Sequence, residues 1–328
     1  MTSQRIIIDR RAAPLVLRDL AVPMPGTGEL LVRVEATGIA FADLLMRAGL
    51  YPATGFPVTP GYEVVGRVES GAGFAVGTRV AALTVTGGYA RHAVIPAATA
   101  VVVPDALSSA QAAALVLNGL TALQMLTRAN ALAATRSMLV WGAAGGVGSL
   151  LIELGRHFGI ESFGVASGSR LAAVTAAGGV AIDRANGDVA GQLRALRPGG
   201  VDVVFDGVGG SATRTSLAAI RSGGQVVMYG IQGGAPGGRR SLPDLLRLLA
   251  SMPRPSPLAL FSKGHGLRGY LVTDWRDFHR EDLATLFEFA VAGKITPQIA
   301  RELPLERAAE AQALLASGTA QGKIILTC

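Results

Sequence analysis

The stretch from Ser137 to Gly148 constrains this chain more than any other. Four apolar residues, Met138 to Trp141, run straight into the glycine-rich turn Gly142-Ala143-Ala144-Gly145-Gly146-Val147-Gly148, and an apolar helix is expected from Ser149 to Phe158. Strand, tight turn and helix in direct succession suit a diphosphate. Glycine lets backbone approach the anion, and the helix N-terminus offers N–H groups and the positive end of its dipole. The spacing is not a strict G-x-G-x-x-G: Ala143 stands where the first glycine would be, and Gly142, Gly145 and Gly148 fall three apart. The strand before and the helix after raise it above a chance glycine run. Gly142, Ala144, Gly145, Gly146, Val147 and Gly148 are thus the candidate backbone contacts of a dinucleotide.

The rest of the chain arranges itself around that turn. At 328 residues it suits two domains. The first hundred residues read as β-rich, with strands at Glu29–Glu35, Val64–Val68, Arg79–Leu83 and Tyr89–Val94 between glycine-rich turns, which suggests a small barrel. Ser108 is a good helix cap for an alanine-rich run to Ala114, and a second helical run spans Thr121–Leu126. Beyond it strands alternate with helices: Met138–Trp141, Ser162–Val165, a helix over Arg170–Ala177, Val201–Asp206, Gln225–Tyr229, and Gly269–Val272 as a sixth strand. That alternation marks an α/β fold with a doubly wound parallel sheet. Gly233–Arg240 and Pro253–Pro257 should be loops. A helix over Asp282–Ala292 and a closing strand Lys323–Leu326 complete the pattern.

Composition excludes several classes. The charge of +7 comes from dispersed arginines, with Arg239-Arg240 the densest cluster and few aromatics interleaved, so no nucleic-acid stripe forms. No apolar run in the sequence approaches the ~20 residues of a spanning helix. The N-terminus lacks a secretory pattern, and a cytoplasmic protein without an integral membrane segment is expected. Cys328, the final residue, is the only cysteine, so neither an internal disulfide nor a cysteine-built zinc site is expected. His92, His157, His265 and His279 are scattered, and no Gly-x-Ser-x-Gly elbow of a serine hydrolase occurs.

The second strand of a dinucleotide unit ordinarily ends near an acidic residue that holds the ribose 2′-hydroxyl. Here the segment Gly164-Val-Ala166-Ser167-Gly168-Ser169-Arg170 has no Asp or Glu. Two hydroxyls and an arginine replace it, which favours a 2′-phosphate and hence NADPH. The alternative is that Ser167 and Ser169 only shape the turn and cap the next helix.

Several segments in this order carry a family likeness: Gly38-Ile-Ala-Phe41-Ala-Asp43, Gly49-Leu-Tyr51-Pro52, Pro57-Val-Thr-Pro60-Gly61-Tyr-Glu63, Asn118-Gly-Leu-Thr121-Ala122, Ala143–Gly148, Asp206-Gly-Val-Gly209-Gly210 and Gly322-Lys-Ile-Ile325. Across nearly its whole length the chain resembles the medium-chain dehydrogenase/reductase superfamily, in particular its zinc-independent quinone oxidoreductases and the branch that includes the synaptic vesicle membrane protein homologues. The resemblance implies a GroES-like β-barrel domain (residues 1–116), a Rossmann NADPH-binding domain (117–262) and a return segment (263–328) that completes the first domain. It also implies an active site in the cleft between them and a homodimer. Zinc-dependent relatives carry a cysteine and a histidine where this chain has Ala40 and Tyr62, and they have a four-cysteine lobe that it lacks, so no metal is expected. Quinone reductases of this kind usually have Asn at the position of Ala40, whose amide would orient a carbonyl or the nicotinamide.

Tyr51, in the stretch matching the active-site loop, could hydrogen-bond a carbonyl and donate a proton, or simply pack over Pro52. Tyr62 faces the cleft by resemblance, either acting there or forming wall. Asp43 could orient water or an arginine, or serve as a structural acceptor, and Glu63 reads as structural. Asn118 and Thr121 are read as starting the helix into the second domain; resemblance puts Thr121 by the nicotinamide, and capping is the alternative. Arg170 and Arg184 are the candidates for the 2′-phosphate, with Arg184 able to stack on adenine or to stand as a surface residue. Val208, Tyr229, Gly230 and Ile231 follow strand ends where ligands of such sheets bind, and Lys323 lies in the closing motif counted with the cofactor contacts.

The expected reaction is hydride transfer from NADPH to a conjugated carbonyl compound or a quinone. Two other readings compete. One is a free-standing enoyl reductase meeting an acidic acyl carrier through Gly237–Arg240. The other is an NADPH-binding regulatory protein with little turnover.

Overall fold

The structure, a computed structural model, describes residues 2–51, 55–234, 237 and 242–328. The chain begins with an antiparallel pair, β1 (Thr2–Ile7) and β2 (Val16–Ala21). There follow β3 (Glu29–Gly38), α1 (Phe41–Ala48), β4 (Glu63–Gly71), β5 (Arg79–Leu83), β6 (His92–Pro96), β7 (Val101–Val102) and α2 (Ser109–Thr127). The alternating part comprises β8 (Ser137–Trp141), α3 (Gly146–His157), β9 (Glu161–Ala166), α4 (Arg170–Ala176), β10 (Val180–Asp183), α5 (Val189–Leu196), β11 (Val201–Asp206), α6 (Ser211–Ala219) and β12 (Ile220–Met228). The chain then forms α7 (Leu242–Ser251), α8 (Pro257–Lys263), β13 (Gly266–Gly269), α9 (His279–Val291), β14 (Ile299–Pro304), α10 (Ala308–Ala316) and β15 (Lys323–Thr327).

Two main sheets result. One is six-stranded, in the order β10-β9-β8-β11-β12-β13, and every neighbouring pair is parallel. This is the doubly wound order, in which the crevice beyond the carboxyl ends of the central strands receives a ligand. The other is seven-stranded and carries the GroES-like part: β3, β4, β5, β6 and β7 are joined at one side by β15 and β14 from the far end of the chain. β8 is buried along its whole length, as a strand covered by helices on both faces must be.

Several expected elements shift. The two helical runs after Ser108 are one helix, α2. Its start is a capping box, with Ser108 Oγ accepting from Gln111 N–H (3.1 Å) while Gln111 Oε1 accepts from Ser108 N–H (2.9 Å). Gly119 does not break it; a Cβ there would stand 3.0 Å from Leu286 Cδ1, so the missing side chain lets α9 pack close. α2 is therefore long and apolar enough to cross a membrane, contrary to the reading that no run comes near that length. It is nevertheless buried between the two sheets, where Ala36, Val65 and Ala81 of one and Val140, Phe205 and Val227 of the other share a core with it.

The sixth strand is Gly266–Gly269 rather than Gly269–Val272, because Gly266 stacks closely on Gln225 in register with β12. Val272–Phe278 winds into 3-10 turns instead. This strand lies beyond residue 262, so the parallel sheet runs past the boundary expected for it. The strand expected at Tyr89 begins only at His92, since Tyr89 is turned into the core. α3 starts at Gly146, inside the glycine turn.

Candidate active site

β8 delivers the chain to the glycine turn. Gly142 takes φ +65°, its carbonyl accepts from Gly145 N–H (2.9 Å), and Ala143 N–H donates to Val165 O (3.2 Å), pinning the turn to β9. A Cβ on Gly148 would lie 2.4 Å from Gly142 O, and one on Gly146 would lie 2.1 Å from Asn118 Nδ2. These glycines are steric requirements of the turn, and they leave a cradle that side chains would fill. Gly145 caps α3 with no side-chain acceptor, so no capping side chain occupies the first-turn N–H groups of Gly146 and Val147. Gly322 N–H donates to Ala144 O (3.3 Å) and bridges Gly145, tying the closing segment onto the same turn.

The other strand ends converge on this edge. The register Asp183↔Ala166 sets the ends of β9 and β10 side by side. Arg170 Nη2 donates to Ser167 Oγ (3.1 Å) and its Nη1 to Gly318 O (2.8 Å), while Arg184 is exposed just past β10. Ser169 makes no side-chain capping bond, which removes the capping alternative for it. Asp206 at the end of β11 is fully buried and shapes the next loop. One oxygen accepts from Val208 N–H (2.8 Å) and Gly209 N–H (3.0 Å), the other from Thr213 Oγ1 (2.7 Å). Tyr229 lies over Gly207, where a Cβ would come within 2.8 Å of its ring, and burial raises its pKa. Gly230 packs on the Gly207 carbonyl, and Ile231 is exposed beside them.

Asn118 and Thr121 lie in the middle of α2, not at a helix start as expected, so neither is a cap. Asn118 is buried against Gly146, and Thr121 faces the Tyr270 hydroxyl. Leu117, next to Asn118, belongs to a different surface. It joins an apolar cluster with Ala40, Ala42, Met46, Tyr51, Tyr62, Leu83, Val85 and Val272. Consecutive residues of one helix thus reach the glycine turn and this apolar cluster.

Two tyrosines belong to that cluster. Their rings meet edge to face (centroids 5.9 Å, 85°) and their hydroxyls are hydrogen-bonded to each other. Tyr62 is buried and Tyr51 only partly so. Burial, then the bond to Tyr51, pushes the Tyr62 pKa up, so Tyr62 stays protonated. Pro52, over which Tyr51 was to pack, lies outside the described residues, as do Arg239 and Arg240 of the stretch considered for a carrier.

Asp43 does not reach the cleft. It is completely buried, with one oxygen accepting from Ala40 N–H (2.8 Å) and Tyr89 Oη (2.8 Å) and the other from Gly61 N–H (3.0 Å). A carboxylate with three donors fixes the two loops that carry Ala40 and Tyr62; it is a positioning group, not a catalytic one. Burial raises its pKa, opposed by those same donors.

Lys323 is likewise turned inward. Its Nζ forms an ion pair with Glu63 Oε1 at 2.7 Å, with both side chains buried. The pair fits because residue 38 is glycine: a Cβ there would be 2.0 Å from both side chains. Burial lifts the Glu63 pKa to about 7 against the attraction of Lys323. The ammonium is thus held by Glu63, and the contact of this segment with the glycine turn is through the backbone of Gly322. Sequence reading missed the roles of Val85, Leu117, Val272 and Tyr89. Only an aromatic at 89 flanked by Gly87 and Gly88 hinted at a fixed corner.

Comparison with known proteins matches the two halves of this arrangement. Residues 26–105 match the alcohol dehydrogenase GroES-like domain, and residues 177–326 match a family described as zinc-binding dehydrogenase. The human synaptic vesicle membrane protein VAT-1 homolog is 32% identical over 320 residues, covering 94% of this chain and 81% of that protein. The chain belongs to the medium-chain dehydrogenase/reductase superfamily. Among solved structures, a quinone oxidoreductase of Pseudomonas syringae superposes with a TM-score of 0.86 at 30% identity over 99% of this chain and all of that one. A mycobacterial protein solved in complex with NADPH gives 0.86 at 29% identity over the same shares. The membership makes this chain an oxidoreductase by descent. Among the described residues no three of His, Cys, Asp and Glu converge, and Ala40 and Tyr62 sit in the apolar cluster.

Proposed function

We infer that the protein is an NADPH-dependent, zinc-independent reductase of quinones or α,β-unsaturated carbonyl compounds. The observation that carries this is the adjacency on α2 of Asn118, against the glycine turn, and Leu117, in the tyrosine-lined cleft. The open first turn of α3 suits a diphosphate. Ser167, Arg170 and Arg184 suit a 2′-phosphate, with no carboxylate on the β9 loop to oppose it. Val208, Gly230 and Ile231 border the same crevice. Reduced nicotinamide, when bound, supplies the hydride.

The chain's own work is positioning and charge stabilisation. The apolar walls exclude water and would hold a flat acceptor against the nicotinamide ring of the bound cofactor. Tyr51, the more accessible hydroxyl, donates to the acceptor's carbonyl oxygen as negative charge grows there, and Tyr62 fixes its orientation. An enone then requires a proton, which Tyr51 supplies; a reduced quinone takes its protons from water. Ala40 offers no amide, so carbonyl recognition falls to the tyrosine pair. The same reading takes the protein as a homodimer: β13 stands at the edge of its sheet, near the exposed Leu258, Phe261 and Leu271.

The test is NADPH oxidation against 1,4- and 1,2-quinones and short- and long-chain enones, with NADH in parallel and with a chelator present. Turnover with NADPH that survives chelation supports the reading. A strong NADH preference overturns the assignment of the β9 loop, and NADPH binding with no turnover on any acceptor favours a regulatory protein.

A further inference from the structure

Two non-glycine residues among those described adopt left-handed backbone, Ala12 (φ 59°) and Val85 (φ 69°). Val85 is the more unusual. Its β-branched side chain crowds the backbone in this region, which glycine or asparagine ordinarily occupies. The conformation is imposed from both sides. The Tyr62 carbonyl accepts from Thr84 N–H (2.8 Å) and Val85 N–H (3.3 Å), and Thr84 Oγ1 donates to Gly61 O (3.1 Å). A few residues on, Gly87 N–H donates to Thr59 O (2.8 Å) and Tyr89 N–H to Pro60 O (2.9 Å). The turn after β5 is therefore laced to the segment 59–62 that ends in the cleft tyrosine. The Val85 side chain, half-buried, packs in the cluster with Tyr51, Tyr62, Leu117 and Val272.

Backbone strain held in place by its surroundings clusters at functional sites, and here it sets the Val85 side chain in the tyrosine cluster. We propose that Val85 determines acceptor specificity: its methyl groups close the wall beside the Tyr51–Tyr62 hydroxyl pair, so the cleft accepts flat conjugated carbonyls that are unsubstituted next to the carbonyl and rejects those branched there. This rests on the reading of the cleft as the acceptor site.

The test uses full-length protein with NADPH. It compares 1,4-naphthoquinone with 2,3-dimethyl-1,4-naphthoquinone as a ratio of kcat/KM, taken relative to wild type so that intrinsic reactivity cancels. Removing wall methyls in Val85→Ala or Val85→Gly should raise the dimethyl-to-parent ratio about tenfold or more, the scale of one or two methyl groups in a tight pocket. Strain gives a second readout independent of turnover. Val85→Gly, free to adopt this φ, should melt above Val85→Ala, which keeps the strain. Reduction of both quinones with ratios unchanged in both variants overturns this proposal alone. Reduction of neither by wild-type protein overturns the reading of the cleft, and this proposal with it. A Val85→Gly protein that melts below Val85→Ala shows that the turn is not strained and overturns the reason for singling out this residue.

Discussion

At the glycine turn the ligand-facing surface is backbone; at the cleft it is side chain. Gly142, Gly146 and Gly148 serve by lacking a Cβ, and the identities of Ala144 and Val147 matter little as long as the chain follows its path. Tyr51, Tyr62 and Val85 serve by what they carry, and they are held in place by groups that never touch a ligand: Asp43 beneath two loops, and Glu63 with Lys323 behind Tyr62. A backbone site should fail through any added bulk and be indifferent to polarity. A side-chain site should fail through loss of one hydroxyl or one buried charge.

The largest effect should come from the support of the cleft. Lys323→Met leaves Glu63 buried without its partner, a loss of about 3–5 kcal/mol in stability if Glu63 stays ionised. Its pH dependence is the sharper readout. The Glu63 pKa in the folded protein, about 7, lies above that of a free glutamate. The folded state therefore binds the extra proton, and this group's contribution is full at acid pH and lost as pH rises through about 7. Removing Lys323 raises that pKa further. The variant should thus approach wild type in denaturant unfolding at pH 5 and fall well below it at pH 8, and a pH-independent deficit would contradict the assignment.

Next is the cleft itself. Tyr51→Phe should lower kcat for enones about 100-fold, the usual worth of a positioned acid, and much less for quinones, which lose only the hydrogen bond to their carbonyl. Equal loss for both would reduce Tyr51 to packing. On the other side of the comparison, Gly148→Ala puts a Cβ 2.4 Å from a carbonyl oxygen and should weaken NADPH binding roughly tenfold or more in calorimetry, with kcat for bound cofactor little changed. Smallest is Arg170→Met, which should lower the preference for NADPH over NADH about fivefold, since Arg184 remains nearby.

The same contrast explains what the sequence revealed. The turn was legible because its requirement is a spacing, and the buried strands β8, β9, β11 and β12 announced themselves as apolar runs before turns. The edge strand β10 did not, being four residues long with an exposed Val180, and neither did the glycine-rich β13. Two helical runs were read where there is one, α2, which misplaced Asn118 and Thr121 at a helix start. The two cleft tyrosines were found through family likeness, but their contact was not, and the pairing of Lys323 with Glu63 joins the two ends of the chain. The backbone angle of Val85 leaves no mark in composition.

The most direct test of the whole account is transfer of isotope. NADPH carrying deuterium at both C4 positions should be incubated with the protein and a cyclic enone, and the product carbon opposite the carbonyl across the former double bond examined for label. The account predicts one deuterium there in wild type, with the yield lowered by Gly148→Ala and nearly abolished by Tyr51→Phe. Bound, intact NADPH with no label in any enone or spent cofactor with any quinone would contradict it.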